Sequence, residues 1–328
     1  MQQHFADRNL SLDLVRVTEA AALASGHFLG KGDKDAVDAA AVDAMRIAFQ
    51  SMHIRGTIVI GEGEKDEAPM LYKGEQVGYG DGIEVDVAVD PIDGTTCVAN
   101  GQHNAVAAVA IAPRGHMFDP GHSFYCQKLV VGSEAANVVD LDAPLKDNLH
   151  NIAKALGKQV NELNVFVLDK PRHADLIKDI RVAGARVLMH REGDIAGAIM
   201  AADPRNSIDL MIGVGGTPEA IVTACALKGS GAQMLTRMAP KTEEERKLIE
   251  TDGIDIKAIR CVDDLITSDD CFFAMSGVTD GELLDGVHYE GNFAVTSSMS
   301  SRGRTGTIRY LTAWHNIKKL AKMSSINY

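Results

Sequence analysis

Asp90-Pro91-Ile92-Asp93-Gly94-Thr95 places two carboxylates and a hydroxyl within six residues, directly after the apolar run Val85, Val87, Ala88 and Val89. The β-branched content of that run reads as a buried strand, and Pro91, which has no N–H to give to a ladder, is expected to stop it at Asp90. Gly94 frees a turn, and Thr95 or Thr96 can cap a following helix. The two acids and the hydroxyl are then expected to converge at the carboxyl end of a strand, the edge at which open α/β sheets bind ligands. Hard oxygen donors there suit Mg²⁺ or Mn²⁺ better than zinc, which prefers Cys and His. The competing reading is an Asx-turn followed by a capping threonine.

A second acidic cluster, Gly61-Glu62-Gly63-Glu64-Lys65-Asp66-Glu67, follows the short apolar run Thr57-Ile58-Val59-Ile60. Glu62 stands between glycines that let the backbone come close to a ligand. Two strands that deliver carboxylates to one edge form a metal-site pattern. With these motifs the sequence resembles the metal-dependent, lithium-sensitive phosphatase superfamily, and within it the class II fructose-1,6-bisphosphatases. The resemblance extends along nearly the whole chain: Asp33-Lys34, Ala68-Pro69-Met70-Leu71-Tyr72, Lys170-Pro171-Arg172-His173, Gly213-Val214-Gly215-Gly216-Thr217-Pro218-Glu219 and Gly277-Val278-Thr279 occur in the family's order and spacing.

The resemblance implies a two-domain αβαβα sandwich of the sugar phosphatase type, and hydrolysis of the 1-phosphate of fructose 1,6-bisphosphate to fructose 6-phosphate in gluconeogenesis. It implies a metal cluster of Glu62, Asp90, Asp93 and Glu219 with the carbonyl of Ile92, holding Mg²⁺ or Mn²⁺. On position alone Asp38, early in a helix, is either a surface acid or a ligand; the resemblance makes it a carboxylate of the metal and water site. Thr95 would assist attack by water, oriented by Asp38 or Asp66. Lys170 and Arg172 read by themselves as solvated cations or as a phosphate grip. By resemblance they hold the sugar and its distal phosphate together with Tyr125, His173, Glu192, Asp194 and Gly216, while Asp93, Gly94 and Thr95 meet the phosphate that is cleaved. Relatives often carry aspartate where this chain has Glu192. A related sugar or inositol phosphatase, including one acting on sedoheptulose 1,7-bisphosphate, and a non-catalytic sugar-phosphate-binding regulator are the alternatives.

Composition sets limits. With 33 Lys plus Arg against 45 Asp plus Glu, the 328-residue chain carries a formal charge of −12, which disfavours a nucleic-acid surface and leaves anion binding to local cations. The apolar runs, such as 105–112, are too short to span a bilayer, and Met1 to Asp7 lacks signal-peptide character, so a cytoplasmic protein without a membrane partner is expected. The substrate is expected to be a small sugar bisphosphate, and the assembly a homo-oligomer. Five cysteines without a Cys-x-x-Cys pair argue against a disulfide framework or a zinc site. Gly213-Val214-Gly215-Gly216 between strand and helix lacks the third glycine of a dinucleotide fingerprint, so no nucleotide cofactor is expected. The spacing of an aspartyl-phosphate nucleophile is likewise absent.

The elements that must position these residues follow from periodicity. Leu14, Val17, Ala21, Ala24 and Phe28 recur at helical spacing up to Gly30 and Gly32, and a second helix capped by Asp35 is expected to run to about Phe49. Strands are expected at 57–61 and 83–90, a helix or strand at 105–112 and a strand at 128–131. The second half alternates: strand 164–168, helix 174–182, strand 186–189, helix 195–201 and strand 208–212, a βαβαβ pattern with at least partly parallel pairing. Pro218 then opens a helix that Gly229 closes. A polar interval near 155–164 sets the expected boundary between a metal-binding domain, 1–160, and a sugar-phosphate-binding domain, 161–328.

Overall fold

A computed structural model describes residues 9–61, 71–326 and 328. Glu62 and Asp66, expected at the site, lie outside the described residues. The chain opens with two helices, α1 (Ser11–Gly26) and α2 (Lys34–Phe49), followed by strands β1 (Ile54–Ile60), β2 (Gln76–Val77) and β3 (Ile83–Asp93), a short helix α3 (Thr95–Ala99) and β4 (Val106–Pro113). The stretch 105–112, open between helix and strand on sequence, is thus a strand. Next come β5 (Tyr125–Val131), α4 (Leu145–Ala155), β6 (Asn164–Leu168), α5 (Ala174–Val182), β7 (Arg186–His190), α6 (Asp194–Ala202), β8 (Leu210–Gly216) and α7 (Thr217–Leu227). The chain ends with β9 (Gln233–Met238), α8 (Glu243–Thr251), α9 (Val262–Leu265), β10 (Phe272–Gly277), β11 (His288–Glu290), β12 (Phe293–Arg302), β13 (Thr307–Asn316) and α10 (Ile317–Met323). Among the described residues, no helix is long and apolar enough to cross a membrane.

The strands form two mixed sheets. The first runs β11-β12-β10-β4-β3-β1-β2, with β13 on the other edge of β12; the second runs β7-β6-β8-β5-β9. In the second, β6 pairs parallel with both β7 and β8, as the βαβαβ pattern requires, while β5 pairs antiparallel with β8 and β9.

The two-residue period of the strands builds the layers. Val85, Val87 and Val89 face one way and pack with Leu14, Val17, Val37 and Met45 of α1 and α2. Ala88 faces the other way, with Ala108 and Ala110, onto Ile195 and Ala198 of α6 and Ala220, Ile221 and Ala224 of α7. The same central cluster takes Cys126, Val130, Phe166 and Met211 from the second sheet. The far face of that sheet, Leu129, Val131, Val165 and Val167, is covered by α4 and α5 through Leu149, Ile152, Ile177 and Ile180. The result is the αβαβα sandwich expected, with α6 and α7 as the middle layer.

The sheets partition the chain otherwise than at 160/161. β5 belongs with the second sheet although it precedes that point, and β10, β11, β12 and β13 return to the first. Three local expectations also change. The N-cap of α2 is Asp33, whose side chain accepts from the Ala36 N–H at 3.0 Å, and Asp35 sits in the first turn. β3 does not stop at Asp90 but continues through Pro91 to Asp93, because the pairing with β4 shifts register between Asp90 and Asp93 and the missing proline N–H falls inside that irregularity. Gly213–Gly216, expected as a turn, are the end of β8, paired residue for residue with Tyr125–Lys128.

Candidate active site

The ends of β3, β6 and β8 and the starts of α2, α6 and α7 surround one cleft of about 830 Å³. Its floor is the Asp90 turn. Asp90 is half-buried, whereas Ile92 and Asp93 are buried. Gly94 has φ of 100°, and a Cβ there would lie 3.2 Å from the Ala105 backbone, so only glycine lets the chain reverse here. Gly94 is also the N-cap of α3, with no side chain capping it; Thr95 does not act as the expected cap. Its hydroxyl instead donates to Asp38 Oδ1 at 2.8 Å and lies 3.2 Å from the Ile92 carbonyl. Burial raises the Asp38 carboxyl above its ordinary value, the Thr95 bond opposes this, and Asp35 adds to it.

Asp93 Oδ2 accepts from the Ile195 N–H at 2.8 Å, so the first turn of α6 is bolted to the reacting end of β3. Burial, then the charges of Asp194 and Glu219, push the Asp93 carboxyl up to about 7. Asp194 opens α6 and is ion-paired with Lys128 of β5, both nearly inaccessible to water. For Lys128, burial favours loss of the proton, but the carboxylates around it prevail and raise its pKa. Glu219, in the first turn of α7, is raised by burial, with Lys128 opposing and Asp194 adding. Gly216 makes room for it: a Cβ there would meet the carboxylate at 1.7 Å.

The opposite wall carries cations. Arg172 Nε donates to the Val214 carbonyl at 2.8 Å, and its guanidinium lies 5.5 Å from the centroid of the Tyr125 ring. Lys170 Nζ stands 3.5 Å from Glu192 Oε1, while Glu192 Oε2 accepts from the Thr96 N–H at 3.1 Å. Glu192 therefore spans the cleft from the start of α6 to the reacting turn. Asp38, Asp90, Ile92, Asp93, Gly94, Thr95, Tyr125, Lys170, Arg172, Glu192, Asp194, Gly216 and Glu219 all line the cleft.

His173, expected to touch the sugar, is not among the residues that line the cleft. It is buried in the strand layer, where Nδ1 donates to the Leu168 carbonyl at 2.7 Å and Nε2 accepts from the Val214 N–H at 2.8 Å. Both ring nitrogens are spent on holding β6 to β8. Three cations were missed by the sequence reading of the site. Lys34 Nζ donates to Thr96 Oγ1 at 2.7 Å, and Lys241 Nζ sits 3.3 Å from the Tyr125 centroid. The third is Lys128, and its signal was present: a lysine inside the otherwise apolar strand run Lys128-Leu129-Val130-Val131. Nothing in the residues around Lys241 marks it.

Whether these acids fit a divalent cation is a matter of charge and of unmet bonding capacity. Among the described residues no three His, Cys, Asp or Glu side chains are gathered closely enough to enclose a metal ion. Two buried carboxylate oxygens, Glu219 Oε2 and Asp194 Oδ1, nevertheless have no hydrogen-bond partner among the described residues. Orphaned buried oxygens on mutually repelling acids are costly unless a cation meets them. The donor set, all oxygen, fits Mg²⁺ or Mn²⁺.

The raised Asp93 carboxyl gives a pH test. A folded-state pKa of about 7 against an ordinary 3.8 means the folded protein binds the extra proton, so this group's contribution to stability is fully present below about pH 4 and is lost as pH rises through 7. His190 and His315, both lowered by burial, act in the opposite sense as pH falls. The measurement is therefore a difference. In metal-free protein, thermal scans between pH 5 and 8 should show wild type losing stability relative to Asp93→Asn as pH rises, and parallel curves would remove the Asp93 carboxyl from this balance.

Comparison with known proteins places the chain in a family. Residues 8–315 match the family described as bacterial fructose-1,6-bisphosphatase, glpX-encoded. A class 2 fructose-1,6-bisphosphatase of Haemophilus influenzae is 42% identical over 333 residues, covering 98% of this chain and 100% of that protein. Fructose-1,6-bisphosphatase 1 class 2 of Escherichia coli is 42% identical over 325 residues, covering 95% and 96%. A match of this extent, over a cleft that sets an acidic turn and a threonine against a wall of cations, makes the chain a member of the glpX-encoded bacterial fructose-1,6-bisphosphatase family and an enzyme of the phosphatase class.

Proposed function

We propose that the enzyme hydrolyses the 1-phosphate of fructose 1,6-bisphosphate, a step of gluconeogenesis, with the reacting phosphate over the Asp90 turn and the 6-phosphate against Lys170 and Arg172. The observation that carries this reading is the Thr95–Asp38 hydrogen bond facing the basic wall across the cleft. Asp38, Asp90, Asp93 and Glu219, with the Ile92 carbonyl and with Glu62 from outside the described residues, would hold Mg²⁺ or Mn²⁺. A divalent cation bound there would neutralise the transferring phosphoryl group and lower the cost of deprotonating water. Thr95, by donating to Asp38, leaves its lone pairs for an incoming water. The water proton passes to Thr95 as the Thr95 proton passes to Asp38, whose raised affinity for protons favours the transfer. Asp66 is the alternative partner for this relay. The Ile195 N–H holds Asp93 in place throughout.

On the other wall Arg172 is fixed by the Val214 carbonyl and by the Tyr125 ring, so it can meet a phosphate without first losing rotamer freedom. Tyr125, Asp194 and Gly216 would complete the sugar site, and Glu192 would order Lys170. The proposed division of labour sets metal binding on the first sheet with α2 and α7, and sugar-phosphate binding on the second. The deciding experiment is phosphate release from fructose 1,6-bisphosphate, sedoheptulose 1,7-bisphosphate, inositol phosphates and p-nitrophenyl phosphate with Mg²⁺ or Mn²⁺, for wild type and Arg172→Ala. We expect fructose 1,6-bisphosphate to lead in kcat/KM. The variant should lose roughly 10- to 150-fold on it, the value of a charge-assisted contact of about 1.5–3 kcal/mol, and little on p-nitrophenyl phosphate. An equal loss on both would place Arg172 at the reacting phosphate, and a different leading substrate would replace the assignment.

A further inference from the structure

Lys128 has no part in the proton relay, yet it is buried where charge is costly. It lies inside β5 on the face that carries Cys126 and Val130 into the middle layer, and its side chain is 2% exposed. A lysine withdrawn this far from water is tolerated only beside a counter-charge, and a hydrophobic residue would fill the same space without that cost. The counter-charge is Asp194, whose Oδ2 accepts from Lys128 Nζ. Asp194 lines the cleft, whereas Lys128 is not among the residues that do.

The Asp194 carboxylate is enclosed on one side only. Asp194 opens α6 behind Gly193, whose φ of 98° turns the chain into the helix. Its carboxylate rests on β8 at Gly215, where a Cβ would collide with Oδ2. Gly215 is paired with Cys126, two residues from Lys128 on the same face of β5. Oδ2 is thus held between a bare stretch of strand and the ammonium. Oδ1 is buried and has no partner among the described residues. An unmet buried acceptor is costly in the free protein, and a donor brought by a bound molecule removes that cost.

We propose that Lys128 is a positioning residue for sugar recognition: by taking Oδ2 inside the protein, it fixes the Asp194 carboxylate with Oδ1 presented to the cleft as a single acceptor for a substrate hydroxyl. The proposal rests on the placing of sugar-phosphate binding on the second sheet. Charge explains why a lysine does this. A bare carboxylate would repel a bisphosphate, and the ammonium cancels that repulsion from inside the protein without offering the phosphates a rival cation in the cleft. Asp194 then welcomes a hydroxyl and rejects a phosphate, which turns the sugar toward α6 and leaves its two phosphates to Arg172 and the Asp90 turn.

The test is a cycle of Lys128→Met, Asp194→Asn and the double variant in the full chain, read by thermal scans and by calorimetric titration of metal-free protein with fructose 6-phosphate. Each single variant strands one buried partner, so each should lower Tm and weaken fructose 6-phosphate binding by roughly 10- to 100-fold, the value of a charge-assisted hydrogen bond. The double variant replaces the ion pair with neutral groups of similar size, so its Tm should return toward wild type. Its affinity should stay where the single variants left it, because the oriented carboxylate is gone. Where Lys128→Met fails to fold, the double variant against Asp194→Asn carries the same comparison. Binding that recovers together with Tm would make the pair purely structural and overturn the proposal. Losses that multiply in the double variant would also overturn it, since Lys128 would then act by a path other than Asp194. In turnover, the double variant should lose kcat/KM on fructose 1,6-bisphosphate by a similar factor and stay within about threefold on p-nitrophenyl phosphate, which has no sugar hydroxyl; an equal loss on both overturns the assignment. Arg172→Ala, titrated alongside, separates this inference from the reading beneath it. Weakened binding there with wild-type binding in Lys128→Met overturns the role of Lys128 alone, whereas wild-type binding in Arg172→Ala moves the sugar-phosphate site and takes the proposal with it.

Discussion

Thr95→Ala is expected to lower kcat for fructose 1,6-bisphosphate by about 10²- to 10⁴-fold, the range for loss of a positioned proton-transfer group. KM should change little, because the hydroxyl's bonds run to Asp38 and the Ile92 carbonyl, within the protein. Thr95→Ser keeps the hydroxyl and loses only a methyl group, so it should retain a substantial part of the rate. The ordering of the three proteins separates chemistry from structure. As the side chain does not cap α3, its removal should leave the turn intact, and near-UV circular dichroism of the alanine variant should match wild type. Equal kcat in the serine and alanine variants would make the hydroxyl a bystander.

Glu219→Gln is expected to move activity and stability in opposite directions. The carboxylate has one buried oxygen without a partner among the described residues and shares its surroundings with Asp93 and Asp194. Replacing it by an amide of the same size removes one of the mutually repelling charges, so metal-free protein should gain thermal stability. A gain on the order of 1 kcal/mol would raise Tm by about 1.5 °C in a chain of 328 residues. The same charge would be needed to hold a divalent cation, so the stabilisation that Mn²⁺ or Mg²⁺ confers in a thermal scan should shrink, and kcat/KM should fall by roughly 10³-fold or more. Calorimetric titration with Mn²⁺ reads the binding loss without turnover. Wild-type metal affinity in a stabilised variant would leave Glu219 as a purely structural acid.

What the sequence made legible was whatever local patterning decides. The alternation of Val85, Val87 and Val89 against Ala88 identified a strand that packs on both faces, and the βαβαβ rhythm of 164–212 announced three parallel neighbours. The acid turn and the basic turn were visible because Pro91 and Pro171 sit beside them. What stayed hidden depends on pairing across long stretches of chain. The second sheet recruits β5, and the first recovers β10 to β13, because neighbours are chosen by the packing of whole faces and not by sequence order. Gly213–Gly216 reads as a turn by composition, yet the partner strand and the approach of Asp194 and Glu219 need a strand without side chains. His173 was set at the sugar by resemblance alone, and its partners, the Leu168 carbonyl and the Val214 N–H, are fixed only once β6 and β8 are adjacent. With Asp33 and Asp35 both able to cap α2, the choice fell to a two-residue register that spacing alone leaves open.

The middle layer has a consequence for how this protein can vary. α6 and α7 contribute to one cluster that includes residues of both sheets, and α6 delivers the N–H that holds Asp93 from a position immediately after Asp194. A mutation that loosens either sheet is therefore felt at the cleft through the same two helices. Loops that rim the cleft on the second sheet, such as 169–172 and 191–193, can change residues at little cost to this layer, whereas the small side chains Ala88, Ala108, Ala220 and Ala224 set how near α7 lies to β3 and cannot grow without pushing the Asp90 turn and Glu219 apart. Drift in what the enzyme accepts and drift in how it reacts are thereby subject to different constraints, the first borne by surface turns and the second by a row of buried alanines.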